Sequence, residues 1–357
     1  AAGEVIERPA SVVKELVENS IDAGADAITV EIKDGGISFI RITDNGSGIY
    51  KEDIPKAFLR HATSKLRSAE DLHTVTSLGF RGEALSSVAA VAQVELISKT
   101  GDSIIGTRYV IEGAKEKEIG EIGVPAGTTI IVRNIFFNTP VRKKFLKSGI
   151  TEGSYVAEIC EHLALSRPDI SIKFVSNGQV KFHTSGSGDL KELIYRIYGK
   201  DIAGEVIPIN YEGKTLSIKG YLGKPVLNRS TRNYENYFIN GRFVKSKVIA
   251  SAFEEGYKEY LMQHKFPFFT VNIEIDTKAV DVNVHPTKMD VRFEDGQEIL
   301  DIISSAVAGT LKVREMIPES LLTEEKPEHE KIVEAPEPFE QSRKSMILPE
   351  DEAYSNA

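Results

Sequence analysis

Only one cysteine, Cys160, occurs in these 357 residues, so no disulfide can form within the chain, and the usage fits a reducing compartment. Its setting, EICEHLAL, reads as helical and partly apolar, which points to a buried structural thiol. Long apolar runs are missing, which excludes a membrane-spanning helix, and nothing at the start reads as a secretory signal. The expected location is therefore the cytoplasm. The seven histidines stand at no metal-ligand spacing, and there is no cysteine cluster to hold zinc. No Gly-x-Ser-x-Gly elbow supports Ser-His-Asp chemistry. Gly213-Lys214-Thr215 resembles the end of a P-loop, but Pro208 stands where the leading glycine is required, so it is set aside. The first residue is Ala1 rather than Met, and AAGEV reads as the interior of something longer.

With 41% hydrophobic and 27% charged residues, the chain has a globular composition and enough length for two domains and a tail. Its formal net charge of -9 is unevenly placed. Residues 315–357 hold twelve acidic residues against four basic ones, which leaves the body at -1. Overall acidity therefore says nothing against a nucleic-acid partner for the body. The tail, rich in Pro and Glu, reads as a disordered linker.

Residues 9–24, PASVVKELVENSIDAG, predict an amphipathic helix. Val12, Val13, Leu16, Val17 and Ile21 fill one arc, and Ser11, Lys14 and Glu18 fill the polar side. Glu15, Asn19 and Asp22 share a stripe along one border of the arc. That stripe is either the solvated rim of a surface helix or a carboxylate and a carboxamide placed to activate water and hold a metal. Strands are expected at 28–32 and 37–43 around the turn Asp34-Gly35-Gly36. Asp44-Asn45-Gly46-Ser47-Gly48 follows, and a strand-end Asp flanked by glycines can take the exocyclic amine of a purine; the same residues also make ordinary turns. Gly79-Phe80-Arg81-Gly82 runs into a helix expected over 83–92, where free N–H groups suit a phosphate or merely a tight loop. Further strands are expected at 93–99, 106–112, 128–132, 170–176 and 179–183, with helices over 141–146 and 155–166. A second unit begins near residue 190, with helices over 190–199, 247–260 and 297–314 and strands at 206–211, 216–222, 236–239 and 268–275.

Taken in order, these features resemble the Bergerat-fold ATPases: gyrase B, the large heat-shock chaperone, histidine kinases and MutL. The wording of AAGEVIERPASVVKELVENSIDAGA, TDNGSGI, RHATSK, SLGFRGEAL, GTTIIVRNIFFNTPVRKKFL, YFINGRF and DVNVHPTKMDVRF is similar to the MutL mismatch-repair family across residues 1–314. The resemblance implies an α+β chain: a two-layer α/β sandwich ATPase domain at 1–189, a domain like ribosomal protein S5 domain 2 at 190–314, and the acidic linker at 315–357. The second domain would carry a left-handed crossover, against the usual rule for such units. The family also implies an arm before AAGEV used in dimerisation, and a C-terminal domain that in many members carries a nuclease site.

For this chain the resemblance implies ATP and Mg²⁺ as ligands, slow hydrolysis, and ATP-dependent dimerisation. Glu15 would be the general base and Asn19 the Mg²⁺ ligand. Asp44 would read the adenine amine, with Gly48 and Thr129 lining the base pocket. Gly79, Phe80, Arg81 and Gly82 would offer backbone groups to the phosphates, with Lys65 at the edge of the same lid. Lys288 would reach the γ-phosphate from the second domain. Arg242 would touch DNA without reading sequence, and Arg142, Lys143 and Lys144 are either further DNA contacts or a solvated helix face. The implied partners are DNA, the mismatch-recognition protein MutS, and a downstream repair nuclease and helicase, in a cytoplasmic, nucleoid-associated setting. Two other readings stay open: a nucleotide-gated DNA clamp with vestigial hydrolysis, and a gyrase-type topoisomerase subunit.

Overall fold

The computed structural model describes residues 6–59, 84–275, 280–281, 292–293 and 296–315. Helix α1, Pro9–Asp22, opens with proline in its first turn, where the missing N–H is no loss. It buries Val12, Val13, Leu16, Val17 and Ile21, each stabilising the fold by about 2 kcal/mol. Glu18 departs from the expected polar side: it is 7% exposed, and Lys14 reaches it at 2.9 Å.

Strand β1, Ala27–Lys33, turns through Asp34–Gly36 into β2, Phe39–Asp44. The short helix α2, Ile54–Ala57, and α3, Ala84–Val91, precede three strands: β3, Gln93–Lys99; β4, Gly106–Glu112; and β5, Lys115–Ile122. Then come β6, Gly127–Arg133, the helices α4, Pro140–Phe145, and α5, Gly149–Ser166, and the hairpin β7, Ser171–Ser176, with β8, Gln179–His183. The eight strands order as β5-β4-β3-β6-β2-β1-β7-β8, with β1 and β7 parallel and the other neighbours antiparallel.

One face of this sheet is apolar: Ile28, Val30, Ile32, Ile40, Ile42, Leu96, Ile130 and Val132 meet α1, α3 and α5 in one core. Cys160 belongs to that core, and burial pushes its thiol up and out of reactive range. The other face carries Glu31 paired with Arg41, and Glu95 between Arg108 at 2.6 Å and Arg133 at 2.9 Å. One wet face and one dry face are what an antiparallel sheet allows, and the result is the expected two-layer sandwich. Two elements differ from expectation. Strand β5, KEKEIGEI, shows no alternation because it is an edge strand exposed on both faces. Helix α5 starts well before residue 155: Ser148 caps it by accepting from Thr151 N, while Gly149, Gly153 and an exposed Ile150 hide the periodicity.

The second half opens with α6, Leu190–Tyr198, capped by Asp189, and α7, Lys200–Gly204. Strands β9, Val206–Glu212, β10, Leu216–Gly223, β11, Glu235–Ile239, β12, Arg242–Phe243, and β13, Phe269–Ile275, form a sheet ordered β12-β11-β13-β10-β9. β11 and β13 are parallel neighbours, joined through α8, Lys247–Gly256. A two-stranded pair, Val280–Asp281 with Arg292–Phe293, precedes α9, Gly296–Glu315. Helices α8 and α9 cover one sheet face; Phe253 stacks on Phe269 at 4.1 Å, and Ile299, Ile303, Val307 and Leu311 follow one another at every fourth position of α9. Both sheets lie within one compact unit, Ala1–Leu311; of the second unit, Lys312–Ala357, only the end of α9 is described.

Glu235, at the start of β11, is 6% exposed. Burial first, and then the Glu254 carboxylate, raise its carboxyl to about 8 against the pull of Arg232, whereas an unperturbed carboxyl titrates at 4.5. The native state therefore holds this proton more tightly than the unfolded chain does. The associated stability is complete below pH 4.5 and is lost as pH rises through 8. Glu235→Gln, which stays neutral, is expected to gain about 4 kcal/mol over the parent at pH 8 and about 1 kcal/mol or less at pH 5, as measured by urea denaturation at the two pH values.

Candidate functional site

Along the border of α1, Glu15 and Asn19 stand one turn apart and only partly buried, with the Glu15 side chain 25% exposed. Lys14 Nζ lies 3.9 Å from Glu15 but 2.9 Å from Glu18, so the lysine is held chiefly by the buried neighbour. Glu15 thus keeps an accessible carboxylate.

Asp44 ends β2 and is 9% exposed. Its Oδ1 accepts from Gly46 N at 2.9 Å and from Thr128 N at 3.2 Å, and its Oδ2 accepts from Ser20 Oγ at 2.7 Å. Asn45 braces the same loop from outside: its Oδ1 accepts from Asp26 N and Ala27 N, and its Nδ2 donates to Asp26. Ser47 N donates to Ala23 O, which ties the loop to the end of α1. Ser98 Oγ, buried on β3, accepts from Ile49 N and contacts Gly127 O and Thr128 Oγ1 at 3.1 and 3.0 Å. The glycines are required here. Gly48 has φ +73°, and a Cβ on it would stand 2.2 Å from Lys99 O; Gly127 has φ +121°, and its Cβ would stand 2.1 Å from Asp44 O.

Of the residues expected to line the base pocket, Asp44 and Gly48 belong to one loop, tied to the end of α1 through Ser47 N and to β3 at Gly48, whereas the Thr129 side chain turns away from Asp44. Thr129 pairs across the ladder with Thr43 and its hydroxyl donates to Thr43 Oγ1 on the wet face. Side chains alternate along a strand, so Thr128, opposite Asp44 and 8% exposed, turns toward the helices. Thr128, rather than Thr129, therefore shares the Asp44 side of the strand. Its parity with the buried Ile130 and Val132 is the signal that finds it. Ser20 was also missed; a polar residue one turn from Leu16, within the apolar arc, calls for a buried partner. Lys65, Gly79, Phe80, Arg81, Gly82 and Lys288 lie outside the described residues. Arg242 sits half-buried on β12, next to Phe243, whose ring stacks on the His162 ring of α5 at 3.6 Å. Burial, then the Lys245 charge, hold His162 down at about 3, so α5 meets this strand with a neutral ring.

Residues 6–126 match the family model described as histidine kinase-, DNA gyrase B-, and HSP90-like ATPase, and residues 194–312 match that of the DNA mismatch repair protein C-terminal domain. DNA mismatch repair protein MutL of Agathobacter rectalis is 57% identical over 347 residues, which cover 96% of this chain and 53% of that one. The chain belongs to the MutL family. The MutL of Caldanaerobacter subterraneus subsp. tengcongensis is 46% identical over 319 residues, covering 89% of this chain and 54% of its own length. The chain thus spans about half the length of the curated MutL relatives it matches. Among solved structures, the Aquifex aeolicus MutL ATPase domain complexed with ADP superposes with a TM-score of 0.62 at 26% identity, over 85% of this chain and 98% of that one. The N-terminal domain of a DNA repair protein, at 24% identity, shares the fold with a TM-score of 0.75, over 88% and 97% of the two chains. The expected α+β architecture, a GHKL-type ATPase domain followed by the mismatch-repair domain, is that of MutL, and the gyrase-type reading is not favoured. Among the described residues, no helix is long and apolar enough to cross a membrane.

Proposed function

We propose that these residues are the ATPase region of a MutL-type mismatch-repair protein, which binds ATP and hydrolyses it slowly. The observation that carries the reading is the Asp44 carboxylate, fixed at a strand end beside a helix whose open edge bears Glu15 and Asn19. In this reading Asp44 accepts the adenine amine, Gly48 and Thr128 border the base, and Glu15 takes a proton from the attacking water. Phosphoryl transfer asks the protein chiefly for an aligned water and charge neutralisation, which a carboxylate one turn from a carboxamide can supply. The donor set suits Mg²⁺: a hard, hydrated cation held mainly by phosphate oxygens needs few protein ligands, and the partly buried Asn19 offers a side-chain oxygen. Asn19 would hold it, and the ion would neutralise phosphate charge. By the family resemblance, Gly79, Phe80, Arg81 and Gly82 would offer backbone to the phosphates, with Lys65 beside them and Lys288 serving the γ-phosphate; all six lie outside the described residues.

The same reading divides the chain into an ATPase domain at 1–189, a transducer domain like ribosomal protein S5 domain 2 at 190–314, and an acidic linker at 315–357. ATP binding drives dimerisation of two such chains, and Arg242 contacts DNA through phosphates, sequence-independently and weakening with salt. MutS and a downstream nuclease and helicase are the protein partners. The test is steady-state phosphate release from ATP with Mg²⁺, with and without DNA, beside calorimetric ADP binding. Slow release that EDTA abolishes is the expected result. Binding without release would favour a nucleotide-gated clamp, and no binding at all would sink both readings.

A further inference from the structure

We propose that Ser20 is a positioning residue that determines base specificity, by locking the Asp44 carboxylate so that only a purine with a 6-amino group fits it. This rests on the ATP reading above and adds to it the group that enforces the choice of base. A carboxylate offers about four acceptor directions. At Asp44 three are taken by groups among the described residues: Gly46 N and Thr128 N on Oδ1, and Ser20 Oγ on Oδ2. About one remains for a ligand, and it can only accept.

Ser20 is the one side-chain hydroxyl among these three donors, and it is itself 4% exposed. Its Oγ stands 2.7 Å from Asp44 Oδ2 and 3.2 Å from Leu16 O, so its single proton goes mainly to the carboxylate. Two backbone N–H groups pin one oxygen and the hydroxyl pins the other, so rotating the carboxylate would break all three bonds. Adenine brings an N–H donor to the remaining position. Guanine brings its O6 acceptor there, and a locked carboxylate can neither turn away nor donate to it. Without the Ser20 hydroxyl, Oδ2 is released. The carboxylate then loses its aim at the adenine amine and can turn to share a water with O6. The same bond joins the end of β2 to the turn of α1 that carries Asn19, so base reading and the Glu15/Asn19 edge share one rigid support.

The test is calorimetric binding of a non-hydrolysable ATP analogue and its GTP counterpart to the whole chain and to Ser20→Ala, with melting temperatures recorded. The parent should prefer the adenine analogue. Ser20→Ala should weaken adenine binding about tenfold, leave guanine binding within about twofold, and so lower the preference about tenfold. A merely structural serine would weaken both alike, so an unchanged preference in a folded variant overturns the proposal. Should Ser20→Ala fail to fold, Ser20→Cys keeps the volume with a poor donor, and the same fall in preference is expected of it. If the parent binds neither analogue, the ATP reading fails first and this proposal falls with it; if the parent binds and the preference survives the substitution, only the Ser20 assignment is lost.

Discussion

Glu15→Ala is expected to lower ATP turnover by about 100-fold or more while leaving nucleotide affinity within about threefold. The expectation follows from where the carboxylate sits. Glu15 is on the open border of α1, whereas Glu18, one turn away on the Lys14 side, is buried and takes the lysine at 2.9 Å. A base tightly paired with a cation is a weak proton acceptor. Glu15 lies 3.9 Å from the same ammonium, the longer of its two contacts. The three bonds that hold Asp44 come from Ser20, Gly46 and Thr128, so removing the Glu15 side chain is expected to leave that cluster intact. Phosphate release measured beside calorimetric binding separates the two effects. Undiminished turnover would move the general base elsewhere, and parallel loss of binding would make Glu15 a ligand contact instead.

Gly48→Ala is expected to destabilise the chain by about 3 kcal/mol and to weaken nucleotide binding by an order of magnitude or more. Two independent causes add. The backbone holds φ +73°, and the new Cβ would lie 2.2 Å from Lys99 O, a backbone atom of β3 that cannot swing aside. To relieve the clash, the loop after Asp44 must lift from β3, which pulls Ile49 N from Ser98 Oγ and disturbs Gly46 N at Asp44. Thermal unfolding reads the first effect, and titration with an ATP analogue reads the second. Gly178→Ala at the β7–β8 turn is the control: its φ is +79°, but nothing lies within 4 Å of its Cβ position, so it carries backbone strain without the clash.

Elements with one wet face and one dry face were legible from sequence. Val12 to Ile21 on α1 and the alternation of β1, β2 and β6 each repeat a simple period. Strand β5 was not legible, because a charged edge strand has no dry face to mark it. The start of α5 was hidden by two glycines and an exposed isoleucine. In the site, the residue types that do chemistry could be listed, but the bonds that aim them could not. Nothing in the one-dimensional string says that Ser20 meets Asp44 across twenty-four positions, because that contact depends on how α1 lies on β2. Thr128 and Thr129 show the finer point: two identical neighbours differ only in strand parity, and parity decides which one is buried opposite Asp44.

The pairing of β1 with β7 sets an order of events in the birth of the chain. Residues 27–32 are parallel partners of residues 171–176. A nascent polypeptide emerging N-terminus first can assemble β1 to β6 among themselves, yet the outer edge of β1, ITVEIK, has no ladder partner until β7 leaves the ribosome. The two edges that stay open in the finished sheet are guarded differently: β5 by its run of charges, β8 by its exposed polar positions. The edge that is open only during synthesis carries Ile28, Val30 and Ile32. The permanent borders thus carry charged and polar side chains, whereas the β1 edge is closed by β7 itself.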